Sequence, residues 1–283
     1  MSEGRQTAFL RKLEDAAGVT CLDVHADADH HRSVLTLAGD DAEVEGAARR
    51  LTEAAVAGLD LTGHSGAHPR RGIVDVVPFV HVEPGPDGRL VDAPIGPAAA
   101  ARDRFAAWAA DALALPCFLY GPVGDDPGAT LPQLRREAWV SRSPDTGPAH
   151  PHPTAGAACV GARPVLVAYN LWLAQPDVAL ARRVAAEVRA PGLRTLGLAV
   201  GDRVQVSCNL IEPWRVGPGA AFDAVADRVA VAGAELVGLL PLAVLEAEPA
   251  SRWEALGIGP DRTIEARLEE AGLDGGRSAR TGR

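Results

Sequence analysis

The chain has 283 residues, 47% of them hydrophobic, and a net charge of -9 from 28 basic and 37 acidic residues. This length and apolar fraction support one large domain or two medium ones with a substantial core. The acidic balance excludes a general nucleic-acid surface, which needs clustered basic residues. The sequence shows neither a membrane-spanning apolar run nor the apolar core of a signal peptide, so we expect a soluble protein.

Most cationic side chains are arginines, because Lys12 is the single lysine of the chain. Arginine offers a planar fork that suits carboxylates, so an anionic ligand would meet arginine side chains. The four cysteines lie far apart in apolar surroundings, without a CxxC spacing. We therefore expect small buried thiols in a reduced protein rather than a zinc site.

The first sixty or so residues alternate between helical and strand patterns. Apolar residues over 9–17 recur at helical spacing, and 19–24 then has the pattern of a strand. After a polar loop, 33–39 predicts a second strand. The aspartates at 40–41 can cap a helix that runs to about Gly58.

The middle of the chain begins with a strand-like run at 73–82, in which Pro78 indicates an edge strand or a bulge. A helix is predicted over 97–112, because Pro97 suits a first helical turn. The segments that follow are a strand at 117–120, a loop rich in Gly and Pro at 121–158, and a short helical patch within it at 131–139.

The second half restarts the alternation, with a strand at 164–173, a helix at 176–188, a hairpin at 193–210 and a helix at 219–232. Gly201 and Asp202 mark the hairpin turn. Because strand pairs look local and antiparallel, we expect two α+β units, each a sheet backed by helices, joined near 161–164. A tail from 248 carries a helical patch at 262–273, and we expect its last ten residues to be disordered.

His68 lies in a loop rich in glycine, four residues after His64. Pro69 directs His68 towards an extended conformation. Histidine exchanges protons near neutral pH, which suits transfer of a one-carbon group between two amines. Arg70 and Arg71 follow directly and could hold a carboxylate. The alternative from the pattern alone is that His68 only bonds the backbone of its own loop.

Three histidines and two aspartates are concentrated between His25 and Arg32. His25, Asp27 and Asp29 would share one face if the preceding strand continued. Imidazole and carboxylate groups suit zinc, iron or manganese. A solvated polar loop is the alternative, because the spacing matches no known metal motif.

The segment 147–156 is a stiff, turn-rich stretch of small residues, prolines and histidines that leads towards Arg163. Small side chains would let main-chain groups reach the edges of a planar ligand. An interdomain linker is the alternative. Asn170 and Asn209 lie inside apolar strands, where an unpaired amide is costly, so each needs a partner and both could face a groove between the units.

The segment 66–79 resembles the signature of the glutamate formiminotransferase family, which has the form GEHPRxGxxDVxPF. Here it reads Gly-Ala-His-Pro-Arg-Arg-Gly-Ile-Val-Asp-Val-Val-Pro-Phe. The similarity continues to about Leu245 through the segments 118–121, 156–163, 206–210 and 237–241. No part of the chain resembles the cyclodeaminase domain that some members of the family carry.

The resemblance implies two subdomains of the α/β sandwich type, each a mixed or antiparallel sheet backed by helices, with a ligand tunnel between facing sheets. It assigns 1–162 to the N-terminal subdomain, 163–247 to the C-terminal subdomain and 248–283 to a partly disordered tail. It also implies transfer of a formimino group from N-formimino-L-glutamate to N5 of tetrahydrofolate, the co-substrate, without a metal.

The resemblance also implies site residues. His68 falls on the catalytic histidine, which would take the proton from folate N5 and then protonate the departing glutamate nitrogen. Arg32, Arg70 and Arg163 are candidates for binding carboxylates of glutamate or of the folate tail. The remaining predicted substrate- or folate-binding residues are His25, His31, Gly147, Pro148, Ala149, His150, Pro151, His152, Pro153, Thr154, Ala155, Gly156, Asn170 and Asn209.

Five positions or segments differ from the family pattern, one of them a shortened loop between Tyr120 and Gly147. His25 replaces an Asp, His31 replaces an Asn and Ala67 replaces a Glu. Imidazole in place of a fixed anion changes how a neighbouring base is held, so we expect a shifted substrate or a weaker reaction. An apolar strand ending in Pro-Asn usually precedes the segment at 2–5 in the family and is absent from this sequence. Either the start of the chain was assigned too late, or the first sheet lacks one strand.

Two alternative functions follow from these observations. One is a paralogue that binds folate or another pteridine without catalysis. The other is a metal-dependent hydrolase of a formimino or amidino compound that uses the loop 25–31. In each case we expect small-molecule ligands in the cytoplasm and no nucleic-acid or membrane partner, and we leave a homodimer open.

Overall fold

The computed structural model describes residues 3–27, 31–63 and 70–273. The helices are α1 Glu3–Ala17, α2 Asp41–Gly58, α3 Gly96–Leu113, α4 Leu131–Glu137, α5 Val178–Glu187, α6 Pro218–Ala226, α7 Leu242–Glu246 and α8 Ile264–Glu270. The strands are β1 Cys21–Asp27, β2 Arg32–Leu37, β3 Val76–Phe79, β4 Val82–Pro84, β5 Leu90–Asp92, β6 Cys117–Tyr120, β7 Ala158–Ala162, β8 Val167–Leu173, β9 Leu193–Val200, β10 Arg203–Leu210 and β11 Val231–Val237.

The chain folds into two units. The first comprises Met1–Cys21, Leu37–His81 and Ala93–Pro164. The second comprises Leu22–Thr36, Val82–Asp92 and Val165–Arg283. The second unit therefore includes two short segments from the first half of the chain, which hold most of the hairpin β1–β2 and the hairpin β4–β5. The subdomain boundaries expected from the resemblance remain a prediction.

The first unit is built on a three-stranded sheet of order β3-β7-β6, in which both strand pairs are parallel. All five residues of β7 are buried, because it is the central strand and apolar clusters pack on both of its faces. Phe105 of α3 is buried on this sheet and packs against Phe79 with ring centroids 5.7 Å apart. Pro78 lies on the edge strand β3, where a missing N–H costs no ladder hydrogen bond, as its sequence position predicts.

Helix α2 begins as the sequence predicts. The Asp40 carboxylate accepts a hydrogen bond from Glu43 N at 2.8 Å, and the Glu43 carboxylate accepts one from Asp40 N at 3.1 Å. This capping box satisfies two of the N–H groups that a helix start leaves without partners. Helix α1 packs beside α2, where Arg50 Nε donates to Ala16 O at 2.8 Å.

The second unit is built on a four-stranded antiparallel sheet of order β11-β8-β10-β9. One face forms the core, in which Tyr169, Leu171, Val206 and other apolar residues pack with helix α5 and its neighbours. Residues alternate along each strand, so the opposite face of the sheet carries the polar side chains. On that face Asn170 is paired in register with Ser207 of β10 and Glu235 of β11.

The segment after α7 belongs to the core of the second unit. Leu256 and Ile258 are buried in it, and the Tyr169 hydroxyl donates to Leu256 O at 2.8 Å. Helix α8 lies within the predicted helical patch, and its N-terminus is capped by the Thr263 hydroxyl. The ten residues expected to be disordered, 274–283, lie outside the described part of the chain.

The mixed α+β class with two units is confirmed, and so are the predicted helices and the hairpin of β9 and β10. Strands β5, β7 and β11 and most of β4 were not predicted. The helix predicted at 219–232 ends earlier than expected, since α6 stops at Ala226 and β11 begins at Val231. The expectation of antiparallel pairing was wrong for the sheet of the first unit, where both pairs are parallel. Among the described residues, no helix is both long and apolar enough to cross a membrane.

Candidate functional site

A pocket of about 380 Å³ opens in the first unit, a volume in the range of small-molecule sites. It lies near the amino ends of the parallel strands. Its lining residues come from four stretches of sequence that the fold brings together: Leu61, Thr62, Arg70, Arg71, Trp139, Pro151, His152, Pro153 and Gly156. Two of the predicted constellations, the arginines after His68 and the segment 147–156, therefore contribute to one pocket.

Backbone hydrogen bonds join these two constellations. Ile73 N donates to Ala155 O at 3.0 Å, and Ala157 N donates to Arg71 O at 3.0 Å. Both contacts depend on glycine at 72 and 156. A Cβ on Gly72 would lie 2.3 Å from Ala157 O, and one on Gly156, whose φ is +72°, would lie 2.3 Å from Arg71 O. The two backbone segments can approach each other this closely only because these positions have no side chain.

The imidazole of His152 is fixed by its own turn. Its Nδ1 accepts hydrogen bonds from Thr154 N at 3.3 Å and Ala155 N at 3.0 Å. The turn is closed by His152 N donating to Gly156 O at 2.8 Å, with a return bond at 3.0 Å. Because Nδ1 acts as an acceptor, a neutral ring carries its proton on Nε2. His152 can therefore offer one N–H donor to a bound molecule.

A half-buried ion pair between Arg135 and Asp75 holds the segment that leaves the pocket. The Asp75 carboxylate accepts hydrogen bonds from Arg71 N and from Arg135 Nη2, both at 2.6 Å. The Arg71 guanidinium in turn donates to Arg135 O. Asp75 belongs to the signature motif, whereas nothing in the sequence indicated Arg135, because it lies sixty residues away on α4.

Trp139 lines the pocket and was missed by sequence reasoning, as were Leu61 and Thr62. Its φ is +64°, in the left-handed region that bulky residues rarely adopt. Its ring meets Phe118 edge to face, with centroids 5.0 Å apart. Its only signal was its place as the last residue of the helical patch predicted at 131–139, whereas the observed helix ends at Glu137.

Comparison with known proteins agrees with the motif. Residues 1–163 match the formiminotransferase domain, N-terminal subdomain. A glutamate formimidoyltransferase of Streptococcus pyogenes serotype M1 is 34% identical over 86% of this chain and 88% of its own length. One from Thermoplasma acidophilum is 28% identical over 95% of both chains. A formimidoyltransferase-cyclodeaminase of Dictyostelium discoideum is 31% identical over 85% of this chain and 49% of its own length.

The chain belongs to the formiminotransferase family. The residue expected to be catalytic in this family, His68, lies outside the described residues, as does the whole segment 64–69. The structure nevertheless describes Arg70, which follows His68 by two positions and lines the pocket. Within 147–156, the residues that line the pocket are Pro151, His152, Pro153 and Gly156, whereas 147–150 are not among the lining residues.

Arg163 lies at the carboxyl end of β7, whereas the pocket lies near its amino end. The structure therefore does not bring this arginine to Arg70. Its guanidinium bonds the Tyr120 side chain. Burial lowers the pKa of Arg163 against the opposing effect of Tyr120, and burial raises the pKa of the Tyr120 hydroxyl to about 12. A carboxylate bound by Arg163 would therefore lie at the carboxyl end of β7, away from the pocket.

The polar sheet face of the second unit gathers other predicted residues. His25 Nε2 lies 3.6 Å from Glu235 Oε1, and Asn170 Nδ2 donates to Glu235 Oε2 at 3.3 Å. Asn170 is 5% exposed, so this bond answers the need for a partner that its sequence position predicts. Asn209 points from β10 as an exposed residue and is paired in register with Ala168 and Arg194.

His31 and Arg32 lie where the chain enters β2. His31 adopts a φ of +50°, and Arg32 is half-buried as the first residue of the strand. In the described ranges, no group of three His, Cys, Asp or Glu side chains could hold a metal ion. Asp29 and His30 fall outside those ranges, so a metal site in the loop 25–31 stays a prediction.

The cysteine thiols are placed as the composition predicts. Cys117, Cys159 and Cys208 are buried, and Cys21 is half-buried. Burial raises the pKa of Cys117 and of Cys208 to about 12 and that of Cys159 to about 11. These three thiols stay protonated at neutral pH and are not suited to act as nucleophiles.

Proposed function

We propose that this protein transfers the formimino group of N-formimino-L-glutamate to N5 of tetrahydrofolate. Two relatives that match most of the chain are glutamate formimidoyltransferases, which supports this reaction. The observation that carries the proposal is the pocket, because it joins the turn 151–156 with Arg70 and Arg71, which follow His68 closely in the sequence. Tetrahydrofolate is the proposed co-substrate.

In the proposed mechanism, N5 of the folate attacks the formimino carbon and forms a tetrahedral adduct. His68 takes the proton that N5 loses and then gives it to the glutamate nitrogen as the bond between carbon and that nitrogen breaks. The products are glutamate and 5-formiminotetrahydrofolate. One imidazole can perform both transfers, because it exchanges protons near neutral pH.

The described residues supply binding groups for both substrates. Arg70 is our candidate for a carboxylate of the donor, because a guanidinium can bind carboxylate through two parallel hydrogen bonds. The His152 Nε2–H, held in place by the backbone of its turn, is our candidate donor to an acceptor atom of the folate. The other members of 147–156 would support this turn.

The polar sheet face of the second unit remains a proposed contact surface for substrate. His25, Asn170 and Glu235 form a connected group there, and His25 carries an imidazole where the family has a carboxylate. We propose that His31, Arg32 and Asn209 also belong to this surface. Arg163 is proposed only as a contact for the distant folate tail, because its place at the carboxyl end of β7 is away from the pocket.

The proposed reaction is tested by mixing purified protein with tetrahydrofolate and N-formimino-L-glutamate and following the product by absorbance. We expect turnover in the wild type and a loss of at least about a hundredfold in kcat for His68→Ala, as removal of a general acid–base group gives. His81→Ala is the matched control, because this histidine lies outside the proposed site, and it should retain its rate.

The outcomes separate the leading candidate from the folate-binding paralogue. Absence of turnover at high enzyme concentration would sink the transferase proposal. If the wild type also shows no turnover, and folate binding survives in His68→Ala, the result would favour a paralogue that binds folate without catalysis. We also propose a cytoplasmic location and a homodimer, the latter to be measured as the solution mass by light scattering.

A further inference from the structure

The backbone of Trp139 is in a conformation that its side chain disfavours. Its φ of +64° lies in the left-handed region, which glycine and asparagine adopt readily and a bulky aromatic residue rarely does. Such positions persist when surrounding structure holds them, and they concentrate at functional sites. The presence of tryptophan here therefore needs a reason in what the ring contacts.

The end of helix α4 holds this conformation. Trp139 N donates to Arg142 O at 3.0 Å, and the N–H groups of Val140 and Ser141 both donate to Glu137 O at 2.9 Å. None of these bonds involves the indole, so a glycine or an asparagine at this position could make the same turn. The turn alone does not explain the indole.

Trp139 packs against the apolar cluster that contains Phe118 and Leu134, and it also lines the pocket. It forms an apolar wall together with Pro151 and Pro153, and Arg70 and Arg71 supply the cationic part of the lining. The edge-to-face contact with Phe118, at an interplanar angle of 88°, fixes the orientation of the indole. A rigid aromatic face in a pocket of about 380 Å³ fits one flat ring system rather than a whole folate molecule.

We propose that Trp139 is a specificity-determining residue that stacks on the pterin ring of the folate. This inference rests on the proposed function. The pterin is the part of the folate that carries N5, and the lining residue Arg70 follows His68 by two positions in the sequence. A pterin in this pocket would therefore present its ring to the wall that contains Trp139. The formimino donor is aliphatic and has no flat aromatic face to stack, so the contribution of Trp139 falls on the folate alone.

The test compares Trp139→Phe and Trp139→Asn in the full-length protein. Phe keeps an aromatic face, whereas Asn suits the left-handed backbone and removes the ring. We expect Trp139→Asn to raise the KM for tetrahydrofolate about tenfold or more, as loss of a stacking partner does, and to leave the KM for the donor within about twofold. Trp139→Phe should change the folate KM by less than about threefold.

Trp214→Asn is the matched control, because this half-buried tryptophan belongs to the second unit and is not a lining residue. A purely structural role of Trp139 would move the melting temperature and both KM values together. Equal changes in the two KM values, or an unchanged folate KM in Trp139→Asn, would overturn the inference while leaving the transferase activity established.

Binding measured without turnover separates this inference from the proposed function. Titration calorimetry with 5-formyltetrahydrofolate, a stable reduced folate, reports the pterin contact even if no product forms. Weaker binding to Trp139→Asn in a protein that shows no turnover would uphold the inference and overturn the proposed reaction. Absence of binding to the wild type would overturn both.

Discussion

The two units present their polar groups in different ways. The pocket of the first unit is assembled from separate stretches of irregular chain, joined by backbone hydrogen bonds such as Ile73 N to Ala155 O. The polar face of the second unit is formed by alternate residues of regular strands, with Asn170 and Glu235 in register. A site built from irregular chain depends on a few close contacts between backbone segments. A sheet face, by contrast, tolerates substitution of single side chains.

Gly72→Ala should have the largest effect. The new Cβ would lie 2.3 Å from Ala157 O, so the two segments that build the pocket must move apart. We expect a loss of about 2–4 kcal/mol in the free energy of unfolding, measured by urea denaturation, and loss of activity. Gly96→Ala is the control, because a Cβ there meets no atom within 4 Å, and it should stay within about 0.5 kcal/mol. Equal stability of the two variants would show that the pocket does not depend on the close backbone contact at Gly72.

Arg135→Gln should have the next largest effect. It removes the guanidinium that binds Asp75 at 2.6 Å, and this carboxylate also holds Arg71 N. We expect kcat/KM to fall about tenfold or more, since the backbone of Arg71 loses its anchor, with a stability loss of about 1–3 kcal/mol. Arg136→Gln, an exposed neighbour on the same helix, should change neither quantity. If Arg136→Gln lowers kcat/KM as much, the ion pair is not what positions the segment.

Asn170→Ala should have the smallest effect. It removes the hydrogen bond to Glu235 on the sheet face, and we expect a loss of about 1 kcal/mol in the free energy of unfolding. Asn209→Ala should change stability by less than about 0.5 kcal/mol, because Asn209 is exposed. Thermal or urea denaturation of the two variants measures the difference. A loss for Asn170→Ala as large as that of Gly72→Ala would contradict the tolerance of a regular sheet.

Regular elements with local signals were predictable from the sequence. The cap at Asp40 fixed the start of α2, and the Gly201-Asp202 turn fixed the hairpin of β9 and β10. Strand β7 was not predictable in this way, because its small residues form a strand only between two parallel neighbours that are distant in sequence. Strand β11 was missed because the apolar run before it continued the pattern of helix α6.

The site was predictable only where a motif marked it. The motif identified Arg70 and Asp75, and the turn-rich composition of 147–156 identified the segment that contains His152. No local sequence pattern indicates Arg135 or Trp139. Their contacts form only because the fold places the end of α4 next to the motif. Arg163 is separated from the pocket because β7 lies between it and Gly156 in the sequence. This strand was not predicted, so the separation could not be predicted either.

The most direct test of the central claim, that the pocket of the first unit is the place of reaction, is the KM for N-formimino-L-glutamate in Arg70→Gln. Loss of a charge-assisted contact to the donor carboxylate should raise this KM about tenfold or more, while the KM for tetrahydrofolate stays near that of the wild type. An unchanged donor KM in a folded Arg70→Gln protein would contradict the assignment of the donor to this pocket.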